Sequence, residues 1–147
     1  MRFINIEHYM CNDKHFLDMC EKEIEQYNRY FDEVIRKSFS NQFISSYFSC
    51  GGFHDWIIQS VQMCFDGERN IGLVTLCDVF NQQSKTIKYM NVQSFRWDFN
   101  EDHFYDVNHD EFGIDEFFKL SDKLFSHEVY CPSGSNYYVE FQKISIE

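Results

Sequence analysis

The sequence predicts an α+β fold: an N-terminal amphipathic helix packed on an antiparallel sheet of about five strands in a meander, with a short helix between the third and fourth strands. Three observations carry this expectation. Apolar residues recur at intervals of three and four between residues 13 and 38, which draws one stripe along a helix. The period then changes to short runs rich in β-branched and aromatic residues. The links between those runs are brief and polar, which suits hairpins and leaves no room for helical crossovers between parallel strands.

The helical stripe consists of Leu17, Cys20, Ile24, Tyr27, Phe31 and Val34, with Glu21, Lys22, Glu25 and Arg29 on the other side. Asn12 or Asp13 is placed to cap the start by accepting from a free backbone N–H, and Arg36 and Lys37 suit the negative end of the helix dipole. The following SFSNQFISSYFSCGGFHDW is rich in Ser and aromatics and contains Gly51-Gly52, so it reads as a break before the next regular element. Strands are expected in WIIQSVQMCF, IGLVTLCDVF, TIKYMNVQSFRWDF, HEVYC and YYVEFQKISI, and the short helix in GIDEFFKLSDKLF. Leu17, Ile24, Phe31 and Val34 should then face Ile57, Val61, Leu73 and Leu76.

A chain of 147 residues with 44% hydrophobic residues fits one domain over 1–147, with residues 1–50 helical and residues 51–147 forming the sheet. With 17 Phe and 9 Tyr the core should be heavily aromatic. Against 13 Lys and Arg stand 24 Asp and Glu, a formal charge of −11. That field repels nucleic-acid phosphates and anionic lipid headgroups, and a basic protein is its natural complement. No apolar run is long enough to span a membrane, and the polar residues within MRFINIEHYMCNDKHF argue against a signal peptide, so a cytoplasmic location is expected. The six cysteines form no Cys-x-x-Cys pair. They read as reduced thiols, with Cys64 and Cys77 as small core hydrophobes.

The acids concentrate in DFNEDHFYDVNHDEFGIDEFF, where Asp98, Glu101, Asp102, Asp106, Asp110, Glu111, Asp115 and Glu116 fall in 21 residues without an intervening Lys or Arg. Asp-x-Asn-x-Asp occurs twice there, as at the start of a calcium-binding EF-hand loop. Both copies fail at the two most demanding positions. The copy at Asp106 has Glu111 where the turn needs Gly and Phe117 where a bidentate Glu belongs, and the copy at Asp98 has His103 and His109 there. The segment therefore reads as a partner-binding surface of these eight carboxylates, with its aromatics anchoring it to the domain. No cofactor is expected.

Two further constellations bear on chemistry. His54-Asp55 has the form of a metal-ligating dyad, and with the acidic segment it supports an alternative reading as a metal-dependent hydrolase. It leads straight into a strand pattern, however, and also reads as a loop-to-strand corner. His103, His109 and His127 stand near acids and could join Asp106 or Asp110 on a transition metal. In an acidic segment they read more simply as solvated residues. No Gly-x-Ser-x-Gly elbow or phosphate-binding Gly-rich loop supports nucleophilic or nucleotide chemistry.

A helical N-terminus followed by FHDWIIQSV, LVTLCDVF and IKYMNVQSFRW, and closed by HEVYCPSGSNYYVEFQKISI, resembles a group of small uncharacterised bacterial proteins related to the immunity proteins of polymorphic toxin systems. The resemblance covers roughly residues 50–147 and rests on the His-Asp pair opening the sheet and on the final strand pair. It implies binding without catalysis: an immunity protein that neutralises a basic toxin.

Overall fold

The computed structural model describes residues 1–11, 13–98 and 110–147. After a single turn, α1 (Ile6–Tyr9), the chain enters α2 (Lys14–Tyr30), a π-helical turn over Phe31–Ile35 and α3 (Arg36–Ser38). The helical path thus covers the expected span. The Asp13 carboxylate accepts from the backbone N–H of His15 and so caps the start; Asn12 lies outside the described residues. Tyr27 and Phe31 are buried, but Leu17 is 44% exposed, so the expected stripe is not buried along its whole length.

A further helix, α4 (Asn41–Ser49), lies within the Ser-rich stretch that reads as a break in helical periodicity, inside the 1–50 region expected to be helical. Ser and Asn favour caps over helix interiors, and here Ser40 is the cap, accepting from Phe43 N–H at 3.2 Å. Phe43, Ile44 and Tyr47 then bury one face of the helix. Tertiary burial of that face outweighs the weak intrinsic propensity.

Among the described residues the strands form two antiparallel sheets, not one meander. The larger has β1 (Ile57–Phe65), β2 (Asn70–Asp78), β3 (Gln83–Met90), β5 (Asp110–Glu111) and β9 (Lys143–Ile146) in the order β5-β1-β2-β3-β9. The smaller has β4 (Ser94–Asp98), β6 (Ile114–Lys119), β7 (Phe125–Tyr130) and β8 (Asn136–Phe141) in the order β4-β8-β7-β6. Two of the expected strands are each divided between the sheets. TIKYMNVQSFRWDF bends at Asn91, whose φ is 55°, and YYVEFQKISI bends at Gln142. The two bends lie side by side, where Asn91 Nδ2 donates to Gln142 Oε1 at 3.0 Å and Gln142 N–H donates to the Met90 carbonyl at 3.1 Å.

The second crossing between the sheets is made by β5 and β6. Glu111 pairs with Ile57 and Asp110 with Ile58, and the chain then passes through Phe112 and Gly113 into β6. Gly113 is required at this corner, since a Cβ there would fall 2.5 Å from the Tyr130 carbonyl oxygen. The ladder therefore closes on itself, running β1-β2-β3 to β9, through its continuation β8 to β7 and β6, and back through β5 to β1. Leu76, Ile87, Tyr89, Phe112, Phe117, Val129, Tyr137, Val139 and Phe141 fill the interior of this circuit.

The expected helix in GIDEFFKLSDKLF is strand β6 instead. Its position at the sheet edge explains the outcome, because its free backbone donors are taken by helix tyrosines: Phe117 N–H donates to the Tyr27 hydroxyl at 2.7 Å and Lys119 N–H to the Tyr30 hydroxyl at 2.9 Å. Helix α2 thus covers an edge that would otherwise be open to pairing. The described residues include all six cysteines, and no disulfide joins any of them. Cys64 is exposed on β1, not buried in the core.

Candidate functional site

The eight acids of the predicted surface do not share one environment. Asp98 and Glu111 are exposed, on β4 and β5. Asp110 holds its place in the β1 ladder, and Glu101, Asp102 and Asp106 lie outside the described residues. Asp115 and Glu116 are turned into the protein, contrary to the expectation that these carboxylates project outward. Glu116 is 3% exposed and accepts from the backbone N–H groups of Arg2 at 2.7 Å, Phe3 at 3.1 Å and Ile4 at 2.7 Å. It latches the N-terminal segment onto β6. Burial pushes its carboxyl pKa up, and the three N–H donors pull the other way.

Asp115 belongs to a buried polar chain that the sequence pattern did not indicate. The Tyr47 hydroxyl donates to Asp115 Oδ1 at 2.8 Å, and His127 Nε2 lies 2.7 Å from Asp115 Oδ2. His127 Nδ1 is 2.6 Å from the Tyr89 hydroxyl, which is 3.1 Å from that of Tyr137. One assignment satisfies every member: Tyr137 donates to Tyr89, Tyr89 to Nδ1, and the Nε2–H to Asp115, so the donors all run toward a single carboxylate. His127 is fully buried and stacks on Phe117 at 3.8 Å between ring centroids, where a solvated residue was expected. Burial, reinforced by the Asp115 charge, holds the Tyr47 phenol well above its ordinary pKa; burial does the same for Tyr89 and Tyr137. These hydroxyls act as fixed donors.

Above Tyr47 the backbone is unusual. Gly51, Gly52, Phe53 and Asp55 all have positive φ, between 62° and 67°. A Cβ on Gly52 would lie 3.1 Å from the Tyr47 hydroxyl, so glycine is needed there for both close approach and conformation. The turn delivers Phe53 into the core and sets His54 and Asp55 at the surface. Those two pair with each other, Nδ1 to Oδ1 at 2.9 Å, which agrees with a loop-to-strand corner. Among the described residues no group of three His, Cys, Asp or Glu side chains is arranged to hold a metal ion. His103, His109 and Asp106 lie outside them.

Three of the outward acids, Asp55, Asp78 and Glu111, share one end of the larger sheet. Register fixes this, since Ile57 lies between Glu111 on one side and Cys77 on the other, so Asp55, Asp78 and β5 share that end. Residues 50–58, 76–84 and 110–112 meet there and contain no Lys or Arg; Lys85, opposite Leu76, is the first cation along β3. From the same end rises the β2–β3 hairpin, with Phe80 89% and Val79 55% exposed. No helix among the described residues is long and apolar enough to cross a membrane. In comparisons with known proteins, no family model and no curated protein matches the chain.

Proposed function

We propose that the chain is a non-enzymatic protein-binding domain that neutralises a basic partner through the acidic end of its larger sheet, the mode of action implied by a resemblance to small uncharacterised bacterial proteins related to immunity proteins. The observation that carries this reading is the placement of Asp55, Asp78 and Glu111 at one end of the larger sheet, where residues 50–58, 76–84 and 110–112 carry no Lys or Arg. In a chain of net charge −11 this end concentrates the negative field, which speeds encounter with a basic surface and repels an acidic one. The buried His127–Asp115 chain serves to fix the scaffold behind it.

The test begins with the gene neighbourhood, where a secreted toxin encoded beside this chain supplies the partner. Association of the two purified proteins should slow when Asp102, Asp106 and Asp110, or Asp55 and Glu111, are reversed to Lys, with the loss largest at low salt. A complex whose rate ignores both charge reversals and ionic strength would exclude the acidic-surface mode.

A further inference from the structure

We propose that the Val79–Phe80 hairpin tip is the apolar anchor of this interface, and that the partner receives it in an apolar recess rimmed with Lys and Arg; the inference rests on the acidic-surface reading above. Phe80 is the most exposed large hydrophobic residue among those described. It sits among Asp78, Asn81, Gln82, Gln83 and Ser84, a polar turn in which a Phe contributes nothing to the core.

The tip is also held in shape. Asp78 Oδ1 accepts from the backbone N–H groups of Phe80 at 3.0 Å and Asn81 at 3.2 Å, and Oδ2 accepts from Asn81 Nδ2 at 2.6 Å. A partner would therefore bury the ring without first ordering its loop, which removes one of the main entropic costs of binding. Aromatic side chains in such positions are the usual energetic centres of interfaces.

Comparison with the other exposed Phe rings among the described residues singles this one out: Phe16 is only 38% exposed and stacks on His8 at 5.2 Å between centroids. Phe48 lies beneath the Arg36 guanidinium, 4.9 Å from its ring centroid, and Phe65 stands at the far end of β1, beside the turn of the Asp66–Arg69 ion pair. Phe80 instead shares its sheet end with Asp55, Asp78 and Glu111. That charge decides the occupant. A second copy would bring like carboxylates together, and an anionic lipid surface would be repelled, whereas Lys and Arg around an apolar recess complement both features.

The experiment places the photo-crosslinking residue p-benzoylphenylalanine at position 80, with positions 48 and 65 as controls, in the full chain expressed in cells that carry its gene neighbourhood. The adduct is identified by mass, and the captured protein is purified and titrated against the wild type, Phe80→Ala and Glu111→Lys. The expected result is a basic protein captured at position 80, bound roughly 30-fold or more weakly by Phe80→Ala at unchanged melting temperature, and more slowly by Glu111→Lys. Adducts at the control positions alone, an acidic captured protein, or full affinity in Phe80→Ala would overturn the anchor. If Glu111→Lys weakens binding and Phe80→Ala does not, the acidic surface stands and the anchor falls; the reverse pattern removes the acidic surface instead. Absence of adducts at all three positions removes the anchor.

Discussion

Glu111 and Glu116 stand five residues apart in one acidic run, and they end in opposite environments. Glu111 lies on β5 with its side chain in solvent, whereas Glu116 on β6 is buried against the N-terminal segment and accepts three backbone N–H groups. Gly113 stands between them at the corner where the chain leaves one sheet for the other. Composition treats the two carboxylates alike, but the ladder does not: β5 is a two-residue outer strand beside the start of β1, and β6 is an edge that helix α2 and residues 2–4 cover. The same contrast separates Asp55, paired at the surface with His54, from Asp115, paired in the interior with His127.

The contrast is most easily broken by truncating its inner members. Asp115→Ala leaves the His127 Nε2–H and the Tyr47 hydroxyl without an acceptor in the core, and should cost about 3 to 5 kcal/mol in urea unfolding. Glu111→Ala should stay within about 0.5 kcal/mol of the wild type. Equal losses for the two variants would show that burial does not distinguish them.

The tyrosines sharpen the contrast through pH. In the folded chain burial raises the pKa values of Tyr47, Tyr89 and Tyr137 above the ordinary phenol value of 10.0. The unfolded chain ionises these phenols above that pH and the folded chain does not, so their contribution is complete below about pH 10 and falls as pH rises, by up to about 1.4 kcal/mol per pH unit for each. Stability curves should therefore bend downward in alkali, and Tyr137→Phe should shallow the slope. A flat profile above pH 10 would mean that the phenols titrate as freely in the folded state as in the unfolded chain.

The smallest effect belongs to the outer surface. Hydrogen bonding from Asn81 holds the Asp78 carboxyl below its ordinary range. Its contribution is present above the unfolded pKa and lost as pH falls through the depressed folded value. An NMR titration should find Asp78 ionised at a pH where the unfolded peptide is half protonated. An ordinary value there would remove the turn lock invoked for Phe80.

Much of this architecture can be read in the sequence where a side chain's period decides its fate. The stripe from Cys20 to Val34 specifies the long helix, and the alternation in β1 to β3 specifies a meander of three strands within the larger sheet. What local pattern cannot specify is where a strand changes sheets. Asn91 is a lone turn-favouring residue inside a strand pattern and Gln142 carries no breaker signal, and the two bends meet through a contact between distant residues. Helix α4 was hidden because Ser and Asn weaken its propensity while burial of Phe43, Ile44 and Tyr47 restores it. The Asp115–His127–Tyr89 chain joins residues 12 and 38 positions apart, so no spacing rule finds it. A usable signal was present at the hairpin tip, where a Phe inside an otherwise polar turn is out of place for folding alone.

The central claim is that the negative field at the Asp55, Asp78 and Glu111 end of the larger sheet governs partner recognition, and stopped-flow association across a range of ionic strengths tests it most directly. Against the basic partner proposed above, the wild-type rate should fall steeply with added salt, and the Asp55→Lys, Glu111→Lys double variant should start slower and show a shallower slope at unchanged thermal stability. Superimposable salt dependences for the two proteins would contradict it.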